Sequence, residues 1–293
     1  MKLQGSYVAL VTPFNEDGSI NFNKLGELLD FHCNNKTDGL VILGTTAEAP
    51  TLTFEEEEQI VRFSIDRVNK RLPIIVGSGS NSTDTAVTYS KKYEQMGADG
   101  LLVITPYYNK TNEMGMIKHF EAVADAVNIP VILYNVPGRT GCAISFNALK
   151  VLSKHPNIAG IKEASGNISF AAKVATLCND NFVMMSGNDD QILPIMSLGG
   201  TGVISVWANI MPNAVHDLCQ ACLENNYDLA REIQLKYLDV ANDIFIETNP
   251  IPIKEAMDYL GYNVGPCRLP LYEMDENNKK ILHKTIDSIK GVL

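Results

Sequence analysis

Short, continuous apolar segments recur along the first two thirds of the chain. Their starts are separated by 20 to 34 residues, which is the length of a strand, a loop and a helix together. Apolar segments that do not alternate with polar positions are typical of parallel strands covered on both faces. The pattern therefore predicts eight strands, at residues 7–11, 39–43, 73–76, 100–104, 130–134, 158–161, 182–185 and 202–206.

The segments between these strands carry helical periodicity and helix-start signals. Residues 53–56 are Thr-Phe-Glu-Glu, a capping-box pattern that also places acidic side chains in the first turn, where the helix dipole favours them. Further helices are predicted at residues 82–96, 112–127, 145–154 and 169–177. Eight strands, each followed by a helix, favour a (β/α)₈ TIM barrel, and a doubly wound open sheet is the alternative.

No strand-like segment follows residue 207. Residues 212–224, 227–245, 253–260 and 276–293 have helical periodicity, and Pro250 and Pro252 interrupt it because proline cannot continue a helix. We therefore predict a barrel that carries the active site at residues 1–223 and a C-terminal helical bundle at residues 224–293. We expect the bundle to serve oligomerisation or packing rather than catalysis.

Composition and charge limit the possible partners. The formal net charge is -10, with 24 basic and 34 acidic residues, which argues against a nucleic-acid or anionic-membrane partner. No apolar run is long enough to span a membrane and no signal-type segment opens the chain, so we expect a cytoplasmic protein. Of six cysteines only Cys219 and Cys222 have CxxC spacing, and we expect them to be neighbours on one helix face rather than metal ligands.

In a barrel, the active site lies at the carboxyl ends of the strands. The residues that follow the predicted strands form a rim of hydroxyls, backbone donors and tyrosines with one lysine, Lys162. This rim lacks the His and carboxylate cluster of a hydrolytic metal site, and we predict no metal. Lys162 ends the sixth apolar segment, where burial favours a neutral amine that can attack carbonyl groups. The alternative is a strand-end lysine that extends its ammonium group into water.

A lysine that forms an imine needs a proton shuttle and donors for the substrate carboxylate. Tyr134, on the neighbouring strand, can act as acid and base, and Thr45 and Thr46 offer hydroxyl and N–H groups at a predicted helix start. The alternative for Tyr134 is a core tyrosine, and the alternative for Thr45 and Thr46 is a helix N-cap. Arg139, in the loop after the fifth strand, has the bidentate geometry that suits a second carboxylate, although a surface role is the commoner one for a loop arginine.

Six motifs occur in order over essentially the whole chain. They are Gly44-Thr45-Thr46-Ala47-Glu48, Thr105-Pro106-Tyr107-Tyr108-Asn109, Tyr134-Asn135-Val136-Pro137-Gly138-Arg139-Thr140-Gly141, Ile161-Lys162-Glu163-Ala164, Ser186-Gly187-Asn188-Asp189 and Asn249-Pro250-Ile251-Pro252. Together they resemble the dihydrodipicolinate synthase family of pyruvate-dependent lyases, which also contains N-acetylneuraminate lyase. The resemblance implies a TIM-barrel enzyme that condenses pyruvate with aspartate semialdehyde on the route to diaminopimelate and lysine, with no metal or organic cofactor.

The resemblance also implies the catalytic roles. Lys162 forms the Schiff base with pyruvate, and Tyr134 shuttles protons. Thr46 relays the protons to Tyr108, which in the family reaches in from a neighbouring subunit. Tyr107 and Tyr108 are accordingly expected at a tight contact between two subunits of a homotetramer built as a dimer of dimers.

The substrate-binding roles follow in the same way. Thr45 and Thr46 are expected to hold the carboxylate of pyruvate, and Arg139 that of the semialdehyde. Gly187 and Ile204 are expected to line the pocket. An aldolase that cleaves sialic acid or a 2-keto-3-deoxy sugar acid is the sibling alternative, and Arg139 favours the synthase. A catalytically inactive barrel that serves as a binding module is the more distant alternative.

Two departures from the family pattern produce further expectations. Family members usually have glycine where this chain has Ala47, so we expect the loop after Thr46 to differ. Lysine-inhibited members carry two histidines and a glutamate in place of three residues here, while Asn81 and Tyr107 of the possible effector site are kept. The three replacements are Phe54, Glu57 and Thr85, and they predict weak or absent inhibition by lysine.

Overall fold

Eight parallel strands form a closed barrel in the computed structural model, which describes residues 2–292. Each strand pairs with the next along the chain, and the last pairs with the first. The barrel is therefore confirmed and the open-sheet alternative is excluded. The strands are β1 (Gly5–Ala9), β2 (Gly39–Ile42), β3 (Ile74–Gly77), β4 (Gly100–Ile104), β5 (Val131–Asn135), β6 (Ile158–Glu163), β7 (Val183–Ser186) and β8 (Gly202–Ser205).

Helices follow the strands as the sequence predicted. The capping box at the start of the second helix is present, with Thr53 Oγ1 accepting from Glu56 N at 3.2 Å and Glu56 Oε2 accepting from Thr53 N at 3.0 Å. The helices are α1 (Phe22–Asn34), α2 (Phe54–Val68), α3 (Thr83–Met96), α4 (Glu113–Asp125), α5 (Pro137–Thr140), α6 (Phe146–Leu152), α7 (Ile168–Ala175), α8 (Ile192–Ser197), α9 (Pro212–Leu223), α10 (Tyr227–Lys236), α11 (Leu238–Asp243), α12 (Ile251–Tyr259) and α13 (Glu276–Ile289).

The strands are buried on both faces, which explains their continuous apolar sequences. On β5, Val131 and Leu133 pack into the layer between sheet and helices, whereas Ile132 and Tyr134 belong to the cluster inside the barrel. Alternate residues of each strand thus supply two separate cores. Towards the carboxyl ends, the interior cluster gives way to polar side chains, and the site lies there.

The helices after residue 223 differ from the prediction in two places. The single helix expected at 227–245 is two helices, because Tyr237 leaves the helical conformation (φ -110°, ψ 16°) and packs its ring 5.4 Å from that of Trp207. Helix α12 begins at Ile251 rather than at residue 253, since Pro252 lies in the first turn, where its missing N–H is not needed. Among residues 2–292, no helix combines the length and apolarity that a membrane crossing requires.

Candidate active site

Lys162 lies inside the barrel near the carboxyl end of β6. The strand continues to Glu163, two residues beyond the predicted end, so Lys162 is part of the strand rather than just past it. It stands in register with Tyr134 of β5, and its Nζ lies 4.4 Å from the centroid of the Tyr134 ring. The residue is 6% exposed, and no carboxylate within residues 2–292 forms an ion pair with it. Its amine is therefore buried and has no ion-pair partner among these residues.

Gly187 gives the Lys162 side chain the room it needs. The Gly187 N–H donates to the carbonyl oxygen of Glu163 at 2.7 Å, which draws the β7 end against β6. A Cβ atom on Gly187 would lie 2.5 Å from the Cβ of Ala164 and 3.1 Å from the Cε of Lys162. Contacts that short force neighbouring atoms to move, so a side chain at this position would displace the lysine.

Thr45 and Thr46 lie in the turn that follows β2, beside the lysine. The expected helix start is not there, because a 3₁₀ turn at Ala49–Thr51 intervenes and α2 begins only at Phe54. Thr46 is 2% exposed, and its Oγ1 accepts a hydrogen bond from Asn249 Nδ2 at 3.0 Å. Because this hydroxyl accepts from the amide, its own proton remains available to another acceptor.

Ala47 does not distort this turn. The left-handed conformation that would favour glycine falls on Glu48 (φ 57°, ψ 32°), not on Ala47. The prediction that alanine alters the loop is therefore not supported by its backbone. Ala47 is also buried, at 2% exposure, so its methyl group is accommodated in the core.

Arg139 reaches the site from the one-turn helix α5. Its side chain is exposed, and Nη2 donates to the carbonyl oxygen of Asn249 at 3.2 Å. The guanidinium group thus stands at the cavity mouth with donors left for a ligand, which suits an incoming carboxylate.

Six of the predicted site residues surround one narrow cavity of about 50 Å³. They are Thr45, Thr46, Tyr134, Arg139, Lys162 and Gly187. An adjoining cavity of about 460 Å³ shares several of its walls and extends towards α2 and α3. The residues that line both are Gly44, Thr45, Leu102, Tyr134 and Arg139. The two spaces therefore form a wide vestibule and a narrow reaction pocket.

Other predicted residues are not in the reaction pocket of the single chain. Ile204 is fully buried in the interior cluster and is not among the residues that line the cavity, so its expected pocket role stays a prediction. Tyr108 is 90% exposed and lines neither space. Tyr107 lines the vestibule, whereas Asn81 does not and instead accepts from Asn109 Nδ2 at 2.9 Å through its carbonyl oxygen.

Two lining residues come from beyond residue 223, and sequence reasoning missed both. Asn249 binds Thr46 and Arg139 as described, and Phe245 covers part of the pocket while remaining 39% exposed. The C-terminal part of the chain therefore contributes to the wall of the pocket, and its expected role in packing or oligomerisation rather than catalysis stays a prediction. The Asn249-Pro250-Ile251-Pro252 motif was a usable signal, but nothing distinguished Phe245 from other apolar residues.

Buried carboxyl groups fix the strand ends around the pocket. Glu163 accepts from Asn135 Nδ2 and from Ser165 N, both at 2.8 Å, and Asn135 Oδ1 accepts from Ile144 N at 3.0 Å. Burial raises the pKa of Glu163, and these hydrogen bonds oppose the rise. The network ties the ends of β5 and β6 to the segment that follows Arg139, and so fixes both walls of the pocket.

The far end of the vestibule contains a second buried carboxyl group, Glu57. It accepts from the Tyr93 hydroxyl at 2.6 Å, and burial raises its pKa to about 7. Phe54 stacks on Tyr89 nearby, with ring centroids 4.5 Å apart. Two of the three replaced positions, Glu57 and Thr85, thus line the vestibule.

A barrel whose pocket ends at a buried lysine, flanked by a tyrosine and a threonine hydroxyl, belongs to the class of lyases that react through a lysine Schiff base. The model of the Dihydrodipicolinate synthetase family matches residues 2–289. This chain belongs to that family.

Individual relatives agree. The chain is 53% identical over 279 residues to 4-hydroxy-tetrahydrodipicolinate synthase 1 of Clostridium acetobutylicum, covering 95% of each chain. Dihydrodipicolinate synthase from Aquifex aeolicus superposes with a TM-score of 0.95 at 42% identity and 98% coverage of both chains. The chloride-inhibited enzyme from Acinetobacter baumannii, complexed with pyruvate, gives a TM-score of 0.97 at 38% identity and covers 100% of both chains.

Proposed function

We propose that this chain condenses pyruvate with L-aspartate 4-semialdehyde to form 4-hydroxy-tetrahydrodipicolinate, and that Lys162 carries the reaction. The observation that supports this most directly is the buried Lys162 amine beside the Tyr134 ring, in a pocket that also contains Thr46. The relative from Clostridium acetobutylicum bears the name of this synthase, and the related structure from Acinetobacter baumannii is a complex with pyruvate.

The chemistry begins with the amine of Lys162. It adds to the keto carbon of pyruvate, and loss of water from the carbinolamine leaves an iminium ion. The iminium withdraws electrons, so a methyl proton is lost and an enamine forms. The enamine carbon then attacks the aldehyde carbon of the second substrate, whose oxygen takes up a proton. Attack of the semialdehyde amino group on the former keto carbon closes the ring and releases Lys162.

The pocket residues supply the proton transfers and the binding. Tyr134 donates the proton that the departing hydroxyl of the carbinolamine needs, and Thr46 links Tyr134 to further proton carriers. Thr45 and Thr46 bind the carboxylate of pyruvate. Arg139, at the mouth, binds the carboxylate of the semialdehyde, which must enter second.

We also propose that the enzyme is a homo-oligomer, a dimer of dimers in which Tyr108 of one subunit completes the proton path of the other. Tyr108 is 90% exposed and has a left-handed backbone (φ 66°), an unusual state for a bulky residue. A partner surface that covers this ring would explain both properties.

Among residues 2–292, all six cysteines are free thiols, which supports a cytoplasmic location.

Hybrid dimers test the role of Tyr108. The variants Lys162→Arg and Tyr108→Phe should each be inactive or nearly so, and refolding them together should restore about a quarter of the wild-type activity, because half of the dimers are hybrids with one intact site. If Tyr108 served its own subunit, no mixture would regain activity.

Trapping with borohydride tests the imine. Reduction in the presence of pyruvate, followed by peptide mass mapping, should place the adduct on Lys162, and Lys162→Arg should abolish it. An adduct on another lysine, or none, would overturn the mechanism. Turnover with N-acetylmannosamine and none with aspartate semialdehyde would instead favour the sialic acid aldolase.

A further inference from the structure

A buried ion pair joins the C-terminal part of the chain to the turn that carries Thr45 and Thr46. Lys254 Nζ, on α12, donates to Glu48 Oε1 at 2.9 Å, and the side chains are 3% and 0% exposed. The same ammonium donates to the carbonyl oxygens of Thr12, at 3.3 Å, and Pro266, at 2.6 Å. The charge is therefore fully partnered, as a buried ammonium must be.

Glu48 is constrained as strongly as its partner. It has left-handed dihedrals (φ 57°, ψ 32°), which are unfavourable for a residue with a side chain. Its second carboxylate oxygen, Oε2, accepts from the backbone N of Arg268 at 2.8 Å. Such a conformation persists only where surrounding contacts enforce it, and Lys254 and Arg268 provide those contacts.

Arg268 adds further contacts to the connection between β2 and α2. Its Nη1 donates to the carbonyl oxygen of Thr51 at 2.9 Å and to Glu56 Oε2 at 2.8 Å. Glu56 belongs to the capping box of α2, so the guanidinium group holds the 3₁₀ turn and the helix start together. With Asn249 bound to Thr46, the segment from residue 46 to residue 56 is held by three residues from beyond the barrel.

Stability does not explain why such a pair is buried. Removing two charges from water costs as much as their attraction returns, and well-packed uncharged replacements for both partners are often tolerated. A pair like this is valuable where it selects one geometry. Glu48 is two residues from Thr46, so the pair fixes the turn at the point where a hydroxyl must face the reacting lysine.

We propose that Glu48 and Lys254 are positioning residues of the condensation, which hold Thr46 in line with Lys162 and Tyr134. The proposal rests on the role given to Thr46 above. It adds that this alignment depends on a charge pair outside the reaction pocket. A misplacement of about 1 Å in a catalytic group costs roughly 100-fold in rate, which sets the scale of the expected effect.

The main test is a double variant, Glu48→Gln with Lys254→Met, which removes both charges and keeps the side-chain volumes. It should fold, with unchanged near-ultraviolet circular dichroism and a thermal midpoint lowered by the loss of the hydrogen bonds from Lys254 to the carbonyl oxygens of Thr12 and Pro266. Its kcat and the rate of imine trapping with pyruvate should fall roughly 30- to 100-fold. KM for the semialdehyde should stay the same, because Arg139 is not part of the turn.

Lys279→Met is the matched control. Lys279 forms ion pairs in the same part of the chain, with Glu255 and Glu276 at 3.5 Å each, and neither partner belongs to the turn. Its removal should leave kcat and trapping unchanged. Glu48→Asp provides an independent variant that keeps both charges but shortens the reach of the carboxylate, and its kcat should fall about 10-fold with little change in midpoint.

The outcomes separate this inference from the role of Thr46. Suppose that Thr46→Val loses activity, while the folded double variant and Glu48→Asp retain wild-type kcat and trapping. The positioning proposal is then wrong, and the proposed role of Thr46 is supported. If Thr46→Val is itself fully active, the role of Thr46 fails. Should the double variant not fold, a wild-type kcat for Glu48→Asp alone would overturn the proposal, and a selective loss of kcat would support it.

Discussion

Lys162 and Tyr134 occupy the same level of two neighbouring strands, with the lysine Nζ 4.4 Å from the centroid of the tyrosine ring. Both residues are 6% exposed, so the amine and the phenol share one small, largely dry space. Strand pairing places both side chains at one level and on one face, because register partners on adjacent parallel strands point the same way. The barrel backbone therefore fixes where both reactive side chains begin.

Tyr134→Phe keeps the ring and removes only the hydroxyl group. We expect kcat to fall about 100- to 10,000-fold, the range for loss of an acid–base group, with little change in stability. Steady-state kinetics and thermal melts measure both. Tyr7→Phe is the control, because Tyr7 belongs to the same interior cluster but donates to the carbonyl oxygen of Lys2 at the other end of the barrel. Equal losses in the two variants would argue against a proton role for Tyr134.

Gly187→Ala should displace the reacting lysine. The added Cβ would lie 3.1 Å from Lys162 Cε and 2.5 Å from Ala164 Cβ, so we expect slow imine trapping and a loss of about 1–3 kcal/mol in the free energy of unfolding. Gly138→Ala is the control, since among residues 2–292 no atom outside its own stretch of backbone lies within 4 Å of the added Cβ. Normal trapping in Gly187→Ala would show that Lys162 does not need this space.

Arg139→Met should weaken the reaction with the semialdehyde but not the reaction with pyruvate. We expect kcat/KM for the semialdehyde to fall about 10- to 100-fold, the value of a hydrogen-bonded charge partner, while pyruvate trapping stays normal. Arg139→Lys should recover only part of the loss, because an ammonium group cannot bind a carboxylate with two parallel hydrogen bonds. A parallel loss of pyruvate trapping would place Arg139 in the first half of the reaction instead.

Glu57 should make the stability of the protein depend on pH. Burial raises its pKa to about 7, against 4.5 for the free side chain, so between these values the folded protein keeps a proton that the unfolded chain releases. The free energy of unfolding therefore falls as the pH rises through this window. Relative to the wild type, Glu57→Gln should gain about 1–3 kcal/mol between pH 5 and 8 in denaturant titrations.

Glu56, the preceding residue, provides a control of opposite sign. The hydrogen bond from Arg268 lowers its pKa, so its contribution is present at neutral pH and lost as the pH falls. Glu56→Gln should therefore lose stability relative to the wild type as the pH rises. Identical pH profiles for the two variants would contradict the environments described for these carboxyl groups.

Lysine should inhibit this enzyme weakly or not at all. Phe54 stacks on Tyr89, and Glu57 is bound to Tyr93, so the vestibule lacks the histidine pair of lysine-inhibited relatives. We expect activity to persist at millimolar lysine in a coupled assay. Half-inhibition at submillimolar lysine would show that Glu57 and its neighbours form an effector site of a different design.

The parts of this molecule that sequence predicts well are those set by local pattern. Continuous apolar segments gave the strand count, and the position of Lys162 at a strand end placed it on the catalytic rim. The capping box at Thr53 is an equally local signal. It marks the start of α2, whereas the helix start expected at Thr45 and Thr46 is not there.

Contacts between distant parts of the chain were not predictable in this way. The hydrogen bond from Asn249 to Thr46 joins residues 203 positions apart, and the pair of Lys254 and Glu48 spans 206 positions. Neither leaves a periodic trace in the sequence, because each depends on a single side chain that meets the barrel only after folding. Tyr108 is a further case, since its proposed partner lies on another chain.

The contacts of Asn249, Lys254 and Arg268 with the turn after β2 also determine when the site can exist. Lys162 and Tyr134 emerge from the ribosome well before these residues, and folding proceeds from the N-terminal side during synthesis. A nascent barrel would hold its amine beside an unfixed threonine turn until residues 249–268 emerge. The reactive pocket is thus complete only after residue 268 has been synthesised and has packed against the turn after β2.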